Sequence, residues 1–207
     1  MAEASTGYKA QPIRASILTV AMGIEILISG IMTGVLILAW DHPVPMPPFW
    51  HGIYLALVKS MNFLPLVSLL ALFFWIYRAN KNARALSERA LEFSPGWAIG
   101  WFFVPLAGWW QPYKVVREIY KASRTPHDWR NAGNSSIVGV WWTLRLISSI
   151  GSIAVLTSHP TGQLLIRISL VLAAAICSNL ILLTIIVARI NTWQAKAHRD
   201  GGVENVF

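Results

Sequence analysis

Residues 15–40 read ASILTVAMGIEILISGIMTGVLILAW, an apolar run that is interrupted by a single charged residue, Glu25. At about 1.5 Å per residue, a helix of this length is long enough to cross the roughly 30 Å hydrocarbon core of a bilayer. The run is longer than the ~7–15-residue apolar region of a signal peptide, and Trp40 and Asp41 offer no small-residue cleavage site. We therefore interpret it as a retained membrane-spanning helix.

The rest of the chain contains further apolar runs of similar length. Three more apolar runs of spanning length cover residues 57–77, 137–157 and 164–190. The chain is 55% hydrophobic and only 13% charged, a composition that is typical of membrane proteins and not of soluble domains. The sequence thus predicts an all-α integral membrane protein with four transmembrane helices. They form a single membrane domain, residues 15–193, between an N-terminal tail, 1–14, and a C-terminal tail, 194–207.

The distribution of positive charge predicts the topology. The net charge is +8, and the Lys and Arg residues lie beside the apolar runs instead of forming a separate basic domain. This pattern argues against nucleic acid as a partner and favours the positive-inside rule, with attraction to anionic lipid headgroups. Apart from Lys59, Arg145 and Arg167, all basic residues can lie on one side of the membrane. We therefore expect both termini to be cytoplasmic.

A fifth apolar stretch, residues 97–111, is too short to span as a helix and is interrupted by Pro105. Basic residues precede and follow it, so a spanning helix would leave one basic cluster on the wrong side of the membrane. We expect a re-entrant or interfacial segment that dips in from the cytoplasm, with Ser94 and Pro95 at the start of its helix and amphipathic helices beside it. A true fifth span, with the C-terminus outside, is the alternative.

Residues 74–123 carry a resemblance to a known family. The matching pieces are RANKNARAL at 78–86, SPGW at 94–97, FVP at 103–105, WQPY at 110–113 and REIYKAS at 117–123. In this order they resemble the bacterial membrane proteins grouped as domain of unknown function 4328. The resemblance implies a multi-span protein of the bacterial inner membrane, and it implies no activity.

Four polar residues recur at one depth in the predicted spans: Glu25, Ser68, Arg145 and Asn179. An ionisable group in hydrocarbon is costly, so it is usually paired or lines a polar path. One interpretation is a Glu25–Arg145 pair and hydrogen bonds that hold the helices together. The other is a proton or ion path, or a site for a polar headgroup, with Glu25 as the titrating group.

The basic connector between the second and third spans offers another candidate site. A cytoplasmic gate or lipid-headgroup pocket would be built from Arg78, Asn82, Arg84, Trp97, Tyr113, Lys114 and Arg117. The alternative is an interfacial anchor that stiffens a four-helix bundle. Gly30 and Gly34 in the first span, and Gly96 and Gly100 in the dipping segment, permit close helix contact with each other or with a partner chain.

Metal binding and catalysis find little support in the sequence. His42, His51 and His159 fall in the two predicted outer loops, with Asp41 beside the first, and they are the candidate metal ligands. Their spacing matches no ligand motif, so we predict no metal and no other cofactor. No phosphate-binding loop or catalytic triad pattern is present.

We therefore predict a non-catalytic membrane protein that binds lipid or a membrane-protein partner, or that forms a homo-oligomer, with a core held by the Glu25–Arg145 pair. The first alternative is a small transporter or channel subunit whose path passes Glu25, Arg145 and Asn179. The second alternative is a membrane-embedded enzyme that depends on a metal or on lipid.

Overall fold

The computed structural model describes residues 7–38, 48–158 and 162–204. Of these residues 82% are helical, and none of them lies in a strand. The helices are α1 Pro12–Leu38, α2 Pro48–Leu86, α3 Pro95–Gly100, α4 Gln111–Arg124, α5 Ser136–Ser158 and α6 Gly162–Glu204, and a 3₁₀ turn covers Ala107–Trp109.

Four of these helices are long and apolar enough to cross a membrane. Their apolar segments are Pro12–Val35, Phe63–Leu86, Ser136–Ser158 and Gln163–Asp200. Large apolar side chains on their outer faces, such as Val20 and Val171, are more than half exposed, as lipid-facing residues are. The predicted all-α membrane fold with four spans is confirmed.

The long helices alternate in direction, so one end of the bundle contains the described chain before α1, the end of α6 and the connector between α2 and α5. Gln11, just before α1, donates a hydrogen bond to Asn191 near the end of α6. We call this the basic end, and it consists of residues 7–14, 77–135 and 189–204. It carries every Lys and Arg of the chain except Lys59, Arg145 and Arg167.

Helix α6 is the centre of the bundle, because it packs against α1, α2, α4 and α5. Among the described helices, α5 packs against α6 and α4, and at most marginally against α1 or α2. Helix α5 therefore lies on α6 and α4, apart from the α1–α2 pair.

The segment between α2 and α4 begins as the sequence predicts. The Ser94 hydroxyl accepts a hydrogen bond from the Trp97 N–H, and Pro95 occupies the first turn of α3. Helix α3 has six residues, so it is too short to span. After it, the Phe102 ring packs on Phe73 of α2 with ring centroids 5.1 Å apart. Re-entry of this segment into the bilayer stays a prediction.

Helix α4 closes the basic end. Its apolar residues Val115, Val116 and Ile119 are buried against α2 and α6, while Lys114 on the opposite face is exposed. This is the amphipathic spacing that the sequence shows between residues 113 and 123. The helix therefore holds the polar side chains of the α2 and α6 ends away from solvent.

Candidate functional site

Glu25 and Ser68 lie side by side on α1 and α2. Glu25 is half-buried, and Ser68 is only 8% exposed. The Ser68 hydroxyl lies beside the Glu25 carboxylate, yet neither Glu25 Oε1 nor Ser68 Oγ makes a hydrogen bond of regular geometry. The two side chains therefore interact with each other in the interior, where a buried polar atom without a partner would cost about 1–3 kcal/mol.

Arg145 lies on α5, and Glu25 lies on α1. The two charges are close enough to interact electrostatically, but within the described chain no nitrogen of Arg145 comes within 4.0 Å of a Glu25 oxygen. The Arg145 side chain is exposed. The two charges thus interact at a distance without a direct salt bridge among the described residues, and the role of the pair in holding the core stays a prediction.

Asn179 has a different role from the other three residues of the predicted polar layer. It is 6% exposed, and its Nδ2 donates to the carbonyl of Trp141 at 2.8 Å, which links α6 to α5. The Trp141 side chain is buried as well, and its indole Nε1 lacks a hydrogen-bond partner. Trp141 lies one helical turn before Arg145 on α5, but Trp141 is buried whereas Arg145 is exposed.

The seven connector residues named in the sequence analysis occupy three environments. Arg78 and Asn82 hold the chain before α1. Arg78 donates from Nε to the Lys9 carbonyl at 3.3 Å and from Nη2 to the Gly7 carbonyl at 3.2 Å. Asn82 Nδ2 donates to the same Lys9 carbonyl at 3.1 Å. Both side chains are buried, so their role in the described structure is to fix residues 7–9 against α2.

Arg84 holds the linker between α2 and α3. Its Nη2 donates to the carbonyls of Leu91 and Phe93 at 2.9 and 2.8 Å. On the other side of the linker, the buried Glu118 carboxylate accepts from the backbone N–H groups of Glu92 and Phe93. Burial raises the pKa of the Glu118 carboxyl, and these two N–H groups partly oppose that shift.

The remaining four residues, Trp97, Tyr113, Lys114 and Arg117, lie on α3 and α4 and are exposed or partly exposed. Trp97 is 57% exposed. The Arg117 guanidinium lies 5.4 Å from the centre of the Tyr113 ring, a cation–π contact, and Lys114 is exposed. The sequence places all seven residues near the membrane surface, but it does not show which side of the connector each residue faces. The three environments could therefore not be predicted from the sequence.

A basic pocket opens between the chain before α1 and the end of α2. Its volume is about 510 Å³, and its polar lining includes Lys9, Arg14, Tyr77, Arg78 and Lys81. None of its nine lining residues is acidic. Of these five, only Arg78 was in the predicted set. The other four could have been predicted from the antiparallel packing of the first two spans, because that packing brings the start of α1 beside the end of α2.

The candidate metal ligands cannot be placed together. His42 and His159 lie outside the described residues, and the side chain of His51, in α2, is not described either. Among residues 7–38, 48–158 and 162–204, no group of three or more His, Cys, Asp or Glu side chains is close enough to share a metal ion. The absence of a metal site at these histidines therefore stays a prediction.

Comparison with known proteins identifies the family. No curated protein and no solved structure matched the chain. A family model described as Domain of unknown function (DUF4328) matches residues 52–195. Because this match covers more than half of the chain and includes the motifs at residues 78–123, the chain belongs to the DUF4328 family.

Proposed function

We propose that this protein is a non-catalytic module of the bacterial inner membrane that binds the phosphate of anionic phospholipids at its basic end, with both termini in the cytoplasm. The observation that carries the proposal is the basic pocket. It gathers Lys9, Arg14, Arg78 and Lys81 without an acidic residue in its lining.

Like charges at close range are unfavourable unless an anion joins them. Arg14 is near enough to Arg78 for their charges to repel. Lys9, Arg14 and Lys81 are exposed around the pocket, and Arg78 forms its buried wall. A phosphate group would be held by several charge-assisted hydrogen bonds, which are about twice as strong as neutral ones. The pocket is therefore suited to a phosphate ligand.

The surroundings of the pocket favour a phospholipid over a free phosphate. Tyr77 is an amphipathic residue of the kind that is enriched at membrane interfaces, and it lines the pocket beside Arg78. Ile13 and Ile17 on α1 and Phe74 on α2 are 73%, 54% and 66% exposed. They continue from the pocket along the apolar parts of both helices, which gives acyl chains a surface to lie on.

Lipid retention tests the proposal. The full chain is exchanged into detergent with equal amounts of phosphatidylglycerol and phosphatidylcholine, and bound lipid is counted by native mass spectrometry. We expect preferential retention of phosphatidylglycerol, and about a tenfold lower preference in an Arg14→Gln/Lys81→Gln variant. The matched control is Lys196→Gln/Arg199→Gln, which removes the same charge from exposed positions on α6. Equal loss in both variants would mean that only net charge attracts the lipid.

One observation favours a second function, a small transporter or channel subunit. Glu25 and Ser68 are polar neighbours inside the apolar segments of α1 and α2, as groups along a proton or ion path are. Liposomes that contain the protein should then show a proton or cation leak above that of empty liposomes. Glu25→Gln should abolish the leak, and Thr143→Ala, on an exposed face of α5, should leave it unchanged.

A further inference from the structure

The loop between α3 and α4 presents apolar side chains on the outside of the bundle. It covers residues 101–110, which read WFFVPLAGWW and include no charged residue, and we call it the apolar loop. Phe103 and Leu106 are 68% and 75% exposed, and Trp109 and Trp110 are 43% and 48% exposed. Exposed apolar side chains that lie together in this way mark an interaction surface.

Contacts with two spans place the apolar loop just inside the basic end. The Phe102 ring packs on Phe73 of α2, and the Trp142 indole N–H of α5 donates to the Trp109 carbonyl at 2.9 Å. Phe73 lies five residues before Arg78, and Trp142 lies six residues after the start of α5. These contacts are thus roughly 8–9 Å from the basic ends of the two apolar segments. The headgroup region is about 5–8 Å thick on each side of a bilayer, so the loop reaches the level where the acyl chains begin.

The backbone of the apolar loop limits how deep it can lie. The N–H groups of Val104 and Leu106 have no hydrogen-bond acceptor among the described residues. The carbonyls of Phe102 and Phe103 likewise accept no hydrogen bond from a described residue. Backbone groups without partners do not face lipid tails, because hydrocarbon offers neither donors nor acceptors. At the membrane interface, water and lipid headgroups supply both.

A pocket of about 270 Å³ opens beside these backbone groups. Its lining residues are Phe102, Phe103, Val104, Pro105, Leu106, Gly108 and Trp109. Apart from the Trp109 indole, their side chains have no polar atom, so backbone groups supply the rest of its polar lining. Gly108 faces two carbonyls, since a Cβ at this position would lie 3.4 Å from the oxygens of Trp101 and Phe102. The loop therefore has an outward opening at the residues whose backbone is unpaired.

A strained turn holds Leu106 at the tip of the loop. Its φ is 63° and its ψ is −57°, and the Ala107 N–H donates to the Pro105 carbonyl at 2.7 Å. This is a classic γ-turn, which is rare and strained. Leu106 is the one described non-glycine residue with a positive φ, although glycine would fit here without strain. Because the turn leaves the leucine side chain exposed, contact with lipid is the interaction that would make an apolar residue favourable there.

We infer that the apolar loop is a membrane-docking surface at the boundary between headgroups and acyl chains, in the leaflet at the basic end. Phe103 and Leu106 contact the acyl chains, and Trp109 and Trp110 lie at the interface as aromatic residues commonly do. The unpaired backbone groups bond to water and headgroups, so the loop does not enter the middle of the bilayer. This docking does not require the basic pocket, which lies on α1 and α2.

A single spin label measures the depth of the loop. Cys177 is the one cysteine of the chain, so a Cys177→Ser background allows labelling at Leu106→Cys in the full chain. The protein is placed in nanodiscs of phosphatidylethanolamine and phosphatidylglycerol. Electron paramagnetic resonance measures collisions of the label with oxygen, which enters acyl chains, and with a nickel chelate, which stays in water. The reference labels are Ala90→Cys, exposed beyond the end of α2, and Ile147→Cys, 49% exposed at the centre of α5.

We expect the label at position 106 to report a depth between the two reference labels, with more oxygen collisions than Ala90→Cys and more nickel collisions than Ile147→Cys. A depth equal to that of Ile147→Cys would show re-entry into the core. Nickel collisions equal to those of Ala90→Cys would show a loop in water, and few collisions with both reagents would show cover by protein. Each of these three results would overturn the inference. If Leu106→Cys does not fold, Phe103→Cys on the same loop replaces it.

A charge at the tip tests whether apolar contact holds the loop in the membrane. With the label at Phe103→Cys, Leu106→Asp should shift nickel collisions toward the value for Ala90→Cys, because lipid disfavours a charge. Asp also tolerates a positive φ better than most residues, so the turn can be kept. The matched control is Leu156→Asp, since Leu156 is 72% exposed on α5 at the opposite end of the bundle. A shift in both variants, or in neither, would contradict a docking role for this loop.

Discussion

Asn82 on α2 holds both backbone groups of Lys9. Its Oδ1 accepts from the Lys9 N–H at 3.2 Å, and its Nδ2 donates to the Lys9 carbonyl at 3.1 Å. The buried amide thus pairs with the chain before α1 much as a neighbouring strand would. This contact positions Lys9 at the basic pocket, which links a hydrogen bond in the protein interior to the proposed lipid site.

Asn82→Ala should therefore free the segment before α1 without unfolding the bundle. The variant loses both hydrogen bonds to Lys9, where water can replace them because Lys9 is exposed, and it loses the bond to the buried Gln194 Oε1. We expect amide exchange at Lys9 to become at least about tenfold faster, and the Tm to fall because Gln194 Oε1 is left without its partner. Hydrogen exchange with mass spectrometry checks this. Unchanged exchange at Lys9 would show that another contact holds the segment.

Gln194 joins three elements at the basic end. It is 1% exposed, and its Nε2 donates to the Ala79 carbonyl and to Ser123 Oγ, both at 2.9 Å. Its Oε1 accepts from Asn82 at 3.3 Å. Gln194→Leu keeps most of the volume but leaves these buried groups without their partner, so the free energy of unfolding should fall by about 1–3 kcal/mol.

Reversible unfolding in mixed micelles measures that change. Gln163→Leu is the matched control, because Gln163 lies on the same helix and is exposed, where such a change usually has an effect within about 0.5 kcal/mol. A loss of similar size in both variants would point to helix propensity or micelle binding instead of the buried network.

Glu118 makes stability depend on pH. Burial is the largest effect, and it raises the pKa of the Glu118 carboxyl above the ordinary value of 4.5. The backbone N–H groups of Glu92 and Phe93 and the charge of Arg84 lower this pKa, whereas the charge of Glu92 raises it further. The folded state therefore holds the proton more tightly than the unfolded state. Protonation of Glu118 therefore stabilises the folded state fully below pH 4.5, and this stabilisation is lost as the pH rises through the folded-state pKa.

Thermal unfolding of the wild type and of Glu118→Gln, measured from about pH 4 to pH 8, checks this prediction. The Tm of the wild type should fall relative to that of the variant as the pH rises above 4.5. The difference between the two proteins removes the contribution of other titrating groups. A difference that stays constant, or that grows in favour of the wild type with rising pH, would contradict the assignment.

Much of the fold was predictable because it depends on local properties of the chain. Run length and hydrophobicity determine the four spans, the Ser94–Pro95 pair starts α3, and apolar spacing defines the buried face of α4. The resemblance in residues 74–123 likewise pointed to the family that the comparison confirms. In each case one segment carries all the information that the feature needs.

The site was less predictable because it depends on which helices touch. Depth along a span placed Glu25 and Arg145 at one level, but their separation follows from the packing of α5 on α6 instead of α1. The sequence showed Lys9 and Arg78 only as charges on the same side of the membrane. The sequence by itself thus determined the spans, the cap of α3 and the charge asymmetry, since these are local or additive. The tertiary structure alone decided the basic pocket and the neighbours of each polar residue in the spans, because the order and rotation of helices depend on side-chain packing summed over the whole bundle.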